Sequence, residues 1–121
     1  MMSTHRKRVL IVEDEPDALE ILQKWIKAQG CHVRMARSGQ RALEISRSFK
    51  PDVLVTDYLL QDDVTGVDVI AQLRASGAKV RCVLITGVLQ NALLEAVHRI
   101  HRVPILTKPF DFSRLGELIQ P

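Results

Sequence analysis

Short apolar runs alternate along the chain with longer segments in which apolar residues recur every three or four positions. Residues 9–12, 53–55 and 83–85 are continuously apolar, which is typical of strands buried on both faces of a parallel sheet. Residues 31–36 form a half-polar run that suits a strand at a sheet edge. A fifth run follows Pro104, whose missing N–H also favours an edge position. The pattern therefore predicts five strands.

The longer segments carry the start and stop signals of helices. Pro16 suits the first turn of a helix whose apolar stripe ends before Gly30. Ser38, Thr65 and Asp111 stand where they can cap a second, a third and a last helix. The apolar positions that predict one more helix, before the last strand, are Leu93, Leu94, Val97 and Ile100. Five helices are therefore expected.

Strand and helix follow each other in strict alternation, without a linker, an internal repeat or a low-complexity segment. Such alternation implies right-handed crossovers that place helices on both faces of a parallel sheet. We therefore predict one doubly wound α/β domain, (βα)5, over residues 1–121. The polar and basic residues 1–7 are expected to form a flexible N-terminal arm.

The composition narrows the choice of partners and location. The formal charge is +3, and Lys and Arg are scattered without interleaved aromatic residues, so we expect no direct contact with nucleic acid. Cys31 and Cys82 lack metal-binding spacing and are expected to be small buried apolar residues. No apolar run has the length of a signal-peptide core or a membrane span, so the expected location is the cytoplasm, away from the membrane.

Four of the predicted strands end in residues that can act on a phosphoryl group. They are Glu13 and Asp14 at the first strand, Asp57 at the third, Thr86 and Gly87 at the fourth, and Lys108 at the fifth. Parallel α/β sheets bind ligands at the carboxyl ends of their strands, so these side chains are expected to converge on one edge. Each residue alone has an ordinary structural reading, as a cap, a surface acid or an ion-pair partner. Their joint placement is what indicates a site.

Carboxylates this close raise each other's pKa and destabilise the fold unless a cation joins them. Mg²⁺ suits such a set, because it binds a few carboxylates and keeps waters that a phosphate can replace. Asp57 stands alone at its strand end and can act as a nucleophile towards phosphorus, which would form an acyl phosphate. Thr86 can donate a hydrogen bond to the phosphoryl group, and Lys108 can pair with its charge.

At these residues the chain resembles the receiver domain of two-component response regulators, over nearly its full length. Glu13 and Asp14 match the acidic pair of that family, and Asp57 falls at its phospho-accepting aspartate. Thr86 followed by Gly87 is similar to the switch hydroxyl and its small neighbour. Lys108-Pro109-Phe110 matches the family's lysine motif.

The resemblance implies a flavodoxin-like sheet in the strand order 2-1-3-4-5 and a cis peptide bond before Pro109. It implies Mg²⁺ held by Glu13, Asp14, Asp57 and the backbone carbonyl of Leu59. The phosphoryl donor would be the phosphohistidine of a histidine kinase or of a histidine phosphotransfer protein. The domain would phosphorylate and dephosphorylate itself, and it would not turn over a substrate as an enzyme does.

Phosphorylation would change the contacts of the domain with a downstream protein target, or with a fused effector or kinase domain. The resemblance fits a monomer or a weak, phosphorylation-dependent dimer. Whether the chain is a stand-alone protein or a piece of a larger regulator or hybrid kinase stays open. The cognate kinase, the stimulus and the output target stay open as well.

Two positions depart from the commonest receiver pattern. Ile105 stands three residues before the lysine, where receivers often carry a switch Tyr or Phe, so we expect an apolar core or contact residue there. The loop after Asp57 is one residue longer than usual. We expect its acids, Asp62 and Asp63, to be solvated and the loop to be more mobile than in relatives.

Three other functions are weighed against the receiver. A phosphorylation-independent interaction module would not need the complete set of acids, hydroxyl and lysine. A phosphatase with Asp57 as nucleophile would need a second acid where Leu59 stands. A flavin-nucleotide binder would need a phosphate cradle of Ser, Thr and Gly, but the first loop is acidic. The receiver is therefore preferred.

Overall fold

One sheet of five parallel strands forms the centre of the molecule. The strands are β1 (Arg8–Val12), β2 (His32–Ala36), β3 (Val53–Asp57), β4 (Arg81–Thr86) and β5 (Ile105–Thr107). Their order is β2-β1-β3-β4-β5, and every pairing is parallel. The computed structural model of the chain describes residues 6–87, 95, 97, 98 and 102–120. The predicted strand order and the doubly wound α/β class are confirmed.

A helix follows each of the first three strands, and another follows β5. The structure gives the bounds of α1 (Pro16–Ala28), α2 (Gly39–Phe49), α3 (Gly66–Ala75) and a C-terminal helix (Phe112–Ile119). The helix predicted between β4 and β5 falls largely outside the described residues. Three of its residues, Glu95, Val97 and His98, are described, and all three are helical.

Side-chain caps begin these helices. Ser38 accepts a hydrogen bond from an N–H in the first turn of α2, and Asp111 does the same for the C-terminal helix. Thr65 and Asp68 form a reciprocal capping box at α3. These three caps confirm the prediction. The cap of α1 is Glu15, whose carboxylate accepts from two backbone N–H groups of that helix.

Successive strand residues face opposite sides of the sheet, so the sheet supports two separate cores. Ile11 and Val55 belong to the core that α1 and the C-terminal helix cover. Leu10 and Leu54 belong to the core that α2 and α3 cover, and Val97 joins it. Because both faces are covered, the open edge at the carboxyl ends of the strands is where their polar residues meet water.

Both cysteines belong to the core, as predicted. Cys31 and Cys82 are buried and form no disulfide. Burial raises the pKa of the Cys82 thiol to about 11, so this thiol stays protonated at neutral pH. Within the described part of the chain, no helix combines the length and the apolar character needed to cross a membrane.

The predicted N-terminal arm begins with residues 1–5, which lie outside the described residues. Lys7, the last residue of that predicted arm, is fixed to its surroundings. Its carbonyl accepts a hydrogen bond from the N–H of His32 at 2.9 Å, and its ammonium donates to the carbonyl of Ile119 at 3.2 Å. These two hydrogen bonds hold Lys7 directly before β1, and the flexible arm stays a prediction for the residues before it.

The start of α3 packs closely against the end of β3. The N–H of Gly66 donates to the carbonyl of Tyr58 at 2.8 Å. A Cβ added at Gly66 would collide with the carbonyl oxygen of Asp57. Glycine is therefore needed at this position, where the chain returns from the sheet edge into a helix.

Substituting Gly66→Ala should lower the free energy of unfolding by about 1–3 kcal/mol, because the new methyl group forces the backbone of β3 and α3 apart. Urea denaturation followed by circular dichroism measures the change. Gly87→Ala is the matched control, since a Cβ there meets nothing within 4 Å. We expect the control to stay within about 0.5 kcal/mol of the wild type. Equal midpoints for both variants would contradict the close packing.

Candidate functional site

The carboxyl ends of β1 and β3 bring three acidic side chains together. Glu13 and Asp14 follow β1 directly, and Asp57 is the last residue of β3. The two strands are in register through the pair of Val12 and Thr56, so Glu13 and Asp57 are neighbours across the sheet. One carboxylate oxygen from each of the three acids lies within 4.8 Å of the other two. The predicted convergence of the acids is therefore present.

Lys108 joins this acidic cluster from the end of β5. Its Nζ donates to Asp57 Oδ2 at 2.9 Å and to Glu13 Oε2 at 3.1 Å. Its backbone N–H donates to the carbonyl of Thr86 at 2.8 Å, which ties it to the end of β4. The peptide bond between Lys108 and Pro109 is cis. Lys108 therefore contacts acids at the ends of β1 and β3, while its backbone is held by the end of β4.

The electrostatics of the site follow from the burial of Glu13. Its side chain is 2% exposed, and this burial raises the pKa of Glu13 above its usual value; the charge of Asp57 raises it further. Burial acts to lower the pKa of Lys108, but hydrogen bonds and charge from Asp57 and then Glu13 outweigh it, so the net pKa of Lys108 is raised. Lys108 therefore stays charged and compensates for part of the carboxylate repulsion.

The carboxylate of Asp57 is hydrogen-bonded and partly exposed. Its Oδ1 accepts from the N–H of Tyr58 at 2.8 Å, and its Oδ2 accepts from Lys108. The side chain is 12% exposed, compared with 2% for Glu13. The carboxylate is thus oriented by two donors and still reachable from the sheet edge.

The donor set fits a hard divalent cation. Glu13, Asp14 and Asp57 offer carboxylate oxygens only, and such ligands suit Mg²⁺ better than the softer metals that prefer nitrogen or sulfur. Among the described residues, the ammonium of Lys108 faces two of the three carboxylates, so negative charge remains for a cation to neutralise. Leu59, whose carbonyl is the fourth predicted ligand, lies in the loop after Asp57, and its side chain is 54% exposed.

The predicted phosphate-binding residues occupy neighbouring strand ends. Thr86 ends β4 and is buried, with 1% exposure, while Gly87 after it is exposed.

Ile105 begins β5, pairs with Leu84 in the sheet and is half-buried against the α2–α3 core. It packs as the apolar contact residue that we expected.

The loop between β3 and α3 differs from the prediction. Asp63 is exposed, but Asp62 is bound to the start of α2: its Oδ1 accepts from the N–H of Gly39 at 3.1 Å, and its Oδ2 from the N–H of Gln40 at 3.0 Å. Hydrogen bonds from the backbone, first that of Gln40, lower the pKa of Asp62. Asp62 is therefore not simply a solvated acid, and the loop is fixed at its middle.

The sequence reasoning missed the roles of three residues that shape the site. Glu15 caps α1, and its N–H donates to Glu13 Oε1 at 3.2 Å, which helps to orient that carboxylate. Gly66 leaves the room that the carbonyl of Asp57 needs, and Asp62 holds the loop. Glu15 stands directly before Pro16, the first residue of α1, and this position could have indicated a cap. The partners of Asp62 and Gly66 depend on the folded structure.

A family model described as the response regulator receiver domain matches residues 9–120. The chain is 28% identical over 114 residues to the Regulator of RpoS of Escherichia coli K12, which covers 93% of this chain and 34% of that protein. It is 30% identical over 112 residues to a response regulator receiver protein of Anaeromyxobacter sp., which covers 93% of this chain and 47% of that protein. The chain therefore spans less than half the length of these relatives.

Solved structures share the fold. The signal receiver domain of an HD domain-containing protein from Pseudomonas fluorescens Pf-5 matches with a TM-score of 0.87 at 20% identity, over 96% of this chain and 93% of that one. The N-terminal domain of a protein from Wolinella succinogenes matches with a TM-score of 0.84 at 28% identity, over 92% and 89%. With the family match spanning almost the whole chain, this protein belongs to the receiver domains of two-component response regulators.

Replacing Lys108 with Met should lower the free energy of unfolding at pH 7 by about 1–3 kcal/mol in the absence of divalent cations, because it leaves Glu13 and Asp57 facing each other without compensation. The pKa of Glu13 is already raised, so its ionised form costs stability as the pH rises through that pKa. The loss should therefore be smaller at pH 5 than at pH 7, because the raised pKa makes protonation of Glu13 easier as the pH falls.

Urea denaturation in EDTA at both pH values measures this effect. Lys24→Met is the control, since Lys24 pairs with Glu20 on the exposed face of α1. We expect the control to change stability by less than about 0.5 kcal/mol. A Lys108→Met variant as stable as the wild type, or equally weakened at both pH values, would contradict the charge compensation.

Proposed function

We propose that this receiver domain accepts a phosphoryl group on Asp57 from the phosphohistidine of a histidine kinase or histidine phosphotransfer protein, and thereby changes its contacts with partner proteins. The observation that carries the proposal is the environment of Asp57. Its carboxylate is reachable from solution, is hydrogen-bonded by Lys108, and lies beside Glu13 and Asp14 at one sheet edge. A nucleophile, a cation and metal-binding acids are thus within reach of one phosphoryl group.

In the proposed step, a carboxylate oxygen of Asp57 attacks phosphorus and forms an O–P bond. The N–P bond of the phosphohistidine breaks, and its electron pair returns to the imidazole nitrogen, which is released as neutral histidine or takes up a proton. The product is an acyl phosphate on Asp57. Later attack of water on phosphorus returns the carboxylate and inorganic phosphate, so the domain resets itself once per phosphorylation.

Mg²⁺ is the proposed cofactor, and it would neutralise charge on the phosphoryl oxygens as the transfer proceeds. Glu13, Asp14 and Asp57 would hold it, with the backbone carbonyl of Leu59 as a further ligand. Three carboxylates within 4.8 Å of each other support this choice, since such a set is stabilised by a cation. Lys108, which is hydrogen-bonded to Asp57 in this structure, would pair with a phosphoryl oxygen once Asp57 is phosphorylated.

Thr86 and Gly87 are proposed to respond to the new phosphoryl group at the end of β4. The hydroxyl of Thr86 would donate to a phosphoryl oxygen, and the small Gly87 would leave room for it. Ile105 occupies the place of the switch aromatic, so no ring is available there to move between exposed and buried positions. The output of this domain would then depend on backbone shifts around β4 and β5.

The partners of the whole protein belong to the same proposal. Curated relatives of greater length include the DNA-binding response regulator MtrA of Mycolicibacterium smegmatis, of which this chain covers 32%. We propose that this domain acts on a separate protein or on a fused effector or kinase domain, without touching nucleic acid itself, as a monomer or a weak dimer. We propose that this exchange takes place in the cytoplasm.

The direct test is the intact mass of the protein after incubation with Mg²⁺ and acetyl phosphate. We expect a gain of one phosphoryl group, about 80 Da, on the wild type. Asp57→Asn should show no gain, because an amide cannot form the acyl phosphate. The wild type in EDTA should show little or no gain, because no divalent cation then neutralises the negative charge on the phosphoryl oxygens.

Asp63→Asn is the matched control, since it removes an exposed carboxylate from the loop that follows Asp57. We expect this variant to be phosphorylated like the wild type. No gain on a folded wild type that binds Mg²⁺ would contradict the proposal and favour a phosphorylation-independent interaction module. Continuous release of phosphate from a small phosphoester, in large excess over the protein, would favour a phosphatase.

A further inference from the structure

The loop that connects β3 to α3, residues 58–65, is fixed first at its base. The N–H of Gly66 donates to the carbonyl of Tyr58 at 2.8 Å, so the two ends of the loop are bonded to each other. The N–H of Tyr58 donates to the carbonyl of Ile85 at 2.9 Å, which joins the same base to β4. The loop therefore leaves and re-enters the fold at one defined point beside Asp57.

A second fixed point lies at the middle of the loop. The two carboxylate oxygens of Asp62 accept separate hydrogen bonds from the N–H groups of Gly39 and Gln40, at 3.1 and 3.0 Å. Val64 packs directly on the same turn: a Cβ added at Gly39 would lie 2.6 Å from Val64 Cγ1 and 2.8 Å from its carbonyl oxygen. Two residues of the loop thus meet the first residue of α2.

The chemistry of a helix N-terminus explains why an aspartate stands here. The first N–H groups of a helix have no partner within the helix, and their positive partial charge favours an anion. Ser38 Oγ accepts from the N–H of Arg41 at 3.1 Å, and Asp62 accepts from the two N–H groups before it. Asp62 is therefore a second cap of α2, contributed by a loop more than twenty residues further along the chain.

Between the two fixed points lie only residues 59–61. The carbonyl of Leu59 is the backbone ligand of the proposed metal site, so its position depends on where the loop is held on either side. Taking the proposed Mg²⁺-dependent function of Asp57 as given, we propose that Asp62 is a positioning residue for the metal site. By binding the start of α2, it holds the loop in the course that presents the Leu59 carbonyl to Mg²⁺.

Two simpler roles of Asp62 predict different results. If Asp62 only stabilised α2, losing the other cap of that helix at Ser38 would have the same effect on the metal site. If Asp62 only added negative charge near the acids, losing the neighbouring Asp63 would have the same effect. Ser38→Ala and Asp63→Ala are therefore the matched controls for Asp62→Ala.

The experiment measures the dissociation constant of Mg²⁺ by isothermal titration calorimetry for the wild type and the three variants. Asp62→Ala should raise the constant about tenfold, at the lower end of the loss seen when a metal ligand loses the contact that orients it. Ser38→Ala and Asp63→Ala should stay within about twofold of the wild type. Amide hydrogen exchange of residues 59–61, measured without Mg²⁺, should quicken in Asp62→Ala alone.

Asp62→Asn keeps the inference testable if Asp62→Ala does not fold. The amide retains one acceptor oxygen, so it can satisfy one N–H of α2 but not both, and its Mg²⁺ constant should lie between those of the wild type and Asp62→Ala. If the Asp62 variants bind Mg²⁺ with the same dissociation constant as the wild type, the inference is overturned. An equal rise in Ser38→Ala or Asp63→Ala would also overturn it.

The same samples separate this inference from the proposed function. If the wild type gains a phosphoryl group and the Asp62 variants bind Mg²⁺ as the wild type does, the positioning role fails and the receiver chemistry stands. If the wild type binds Mg²⁺ but gains no phosphoryl group, the receiver chemistry fails whatever the variants do. A wild type that is phosphorylated, with weaker Mg²⁺ binding only in the Asp62 variants, supports both.

Discussion

Two carboxylates that share a sheet edge need positive charge between them, and Lys108 supplies it in this protein. Glu13 is almost fully buried, so water cannot screen its charge from Asp57, and the ammonium that contacts both acids is what makes their proximity tolerable. The compensation is incomplete, because Asp14 lies in the same cluster. Negative charge therefore remains in the cluster, and a divalent cation would neutralise it.

The sheet is the reason that these residues meet at all. Parallel strands end on the same side, so residues far apart in sequence reach one edge without any local tendency to approach each other. Helices on both faces keep water from the strands but leave their ends open. The start of α3 adds a further constraint, since Gly66 must lie against the carbonyl of Asp57 for the chain to turn back into the fold. The backbone around the reactive acid is therefore packed closely while its side chain stays accessible.

The sequence was informative wherever the physical cause is local or periodic. Buried parallel strands are continuously apolar, so β1, β3 and β4 could be predicted, and the caps Ser38 and Thr65 stand at fixed offsets from their helices. Asp62 could not be assigned in this way, because its partners on α2 are set by the tertiary structure and Asp63 beside it has the same side chain. The helical cap at Glu15 was missed for a different reason: glutamate is not among the preferred capping residues.

The contact of Asp62 and Val64 with Gly39 also limits which changes of sequence this domain can accept. The β3–α3 loop and the first turn of α2 are more than twenty residues apart in the sequence. A change in the length of the loop, or a larger residue at Gly39, would disturb the contacts between them. Replacing the loop by one without an acceptor at the position of Asp62 would leave the N–H groups of Gly39 and Gln40 without this partner. A chimera that transfers both segments together would keep these contacts.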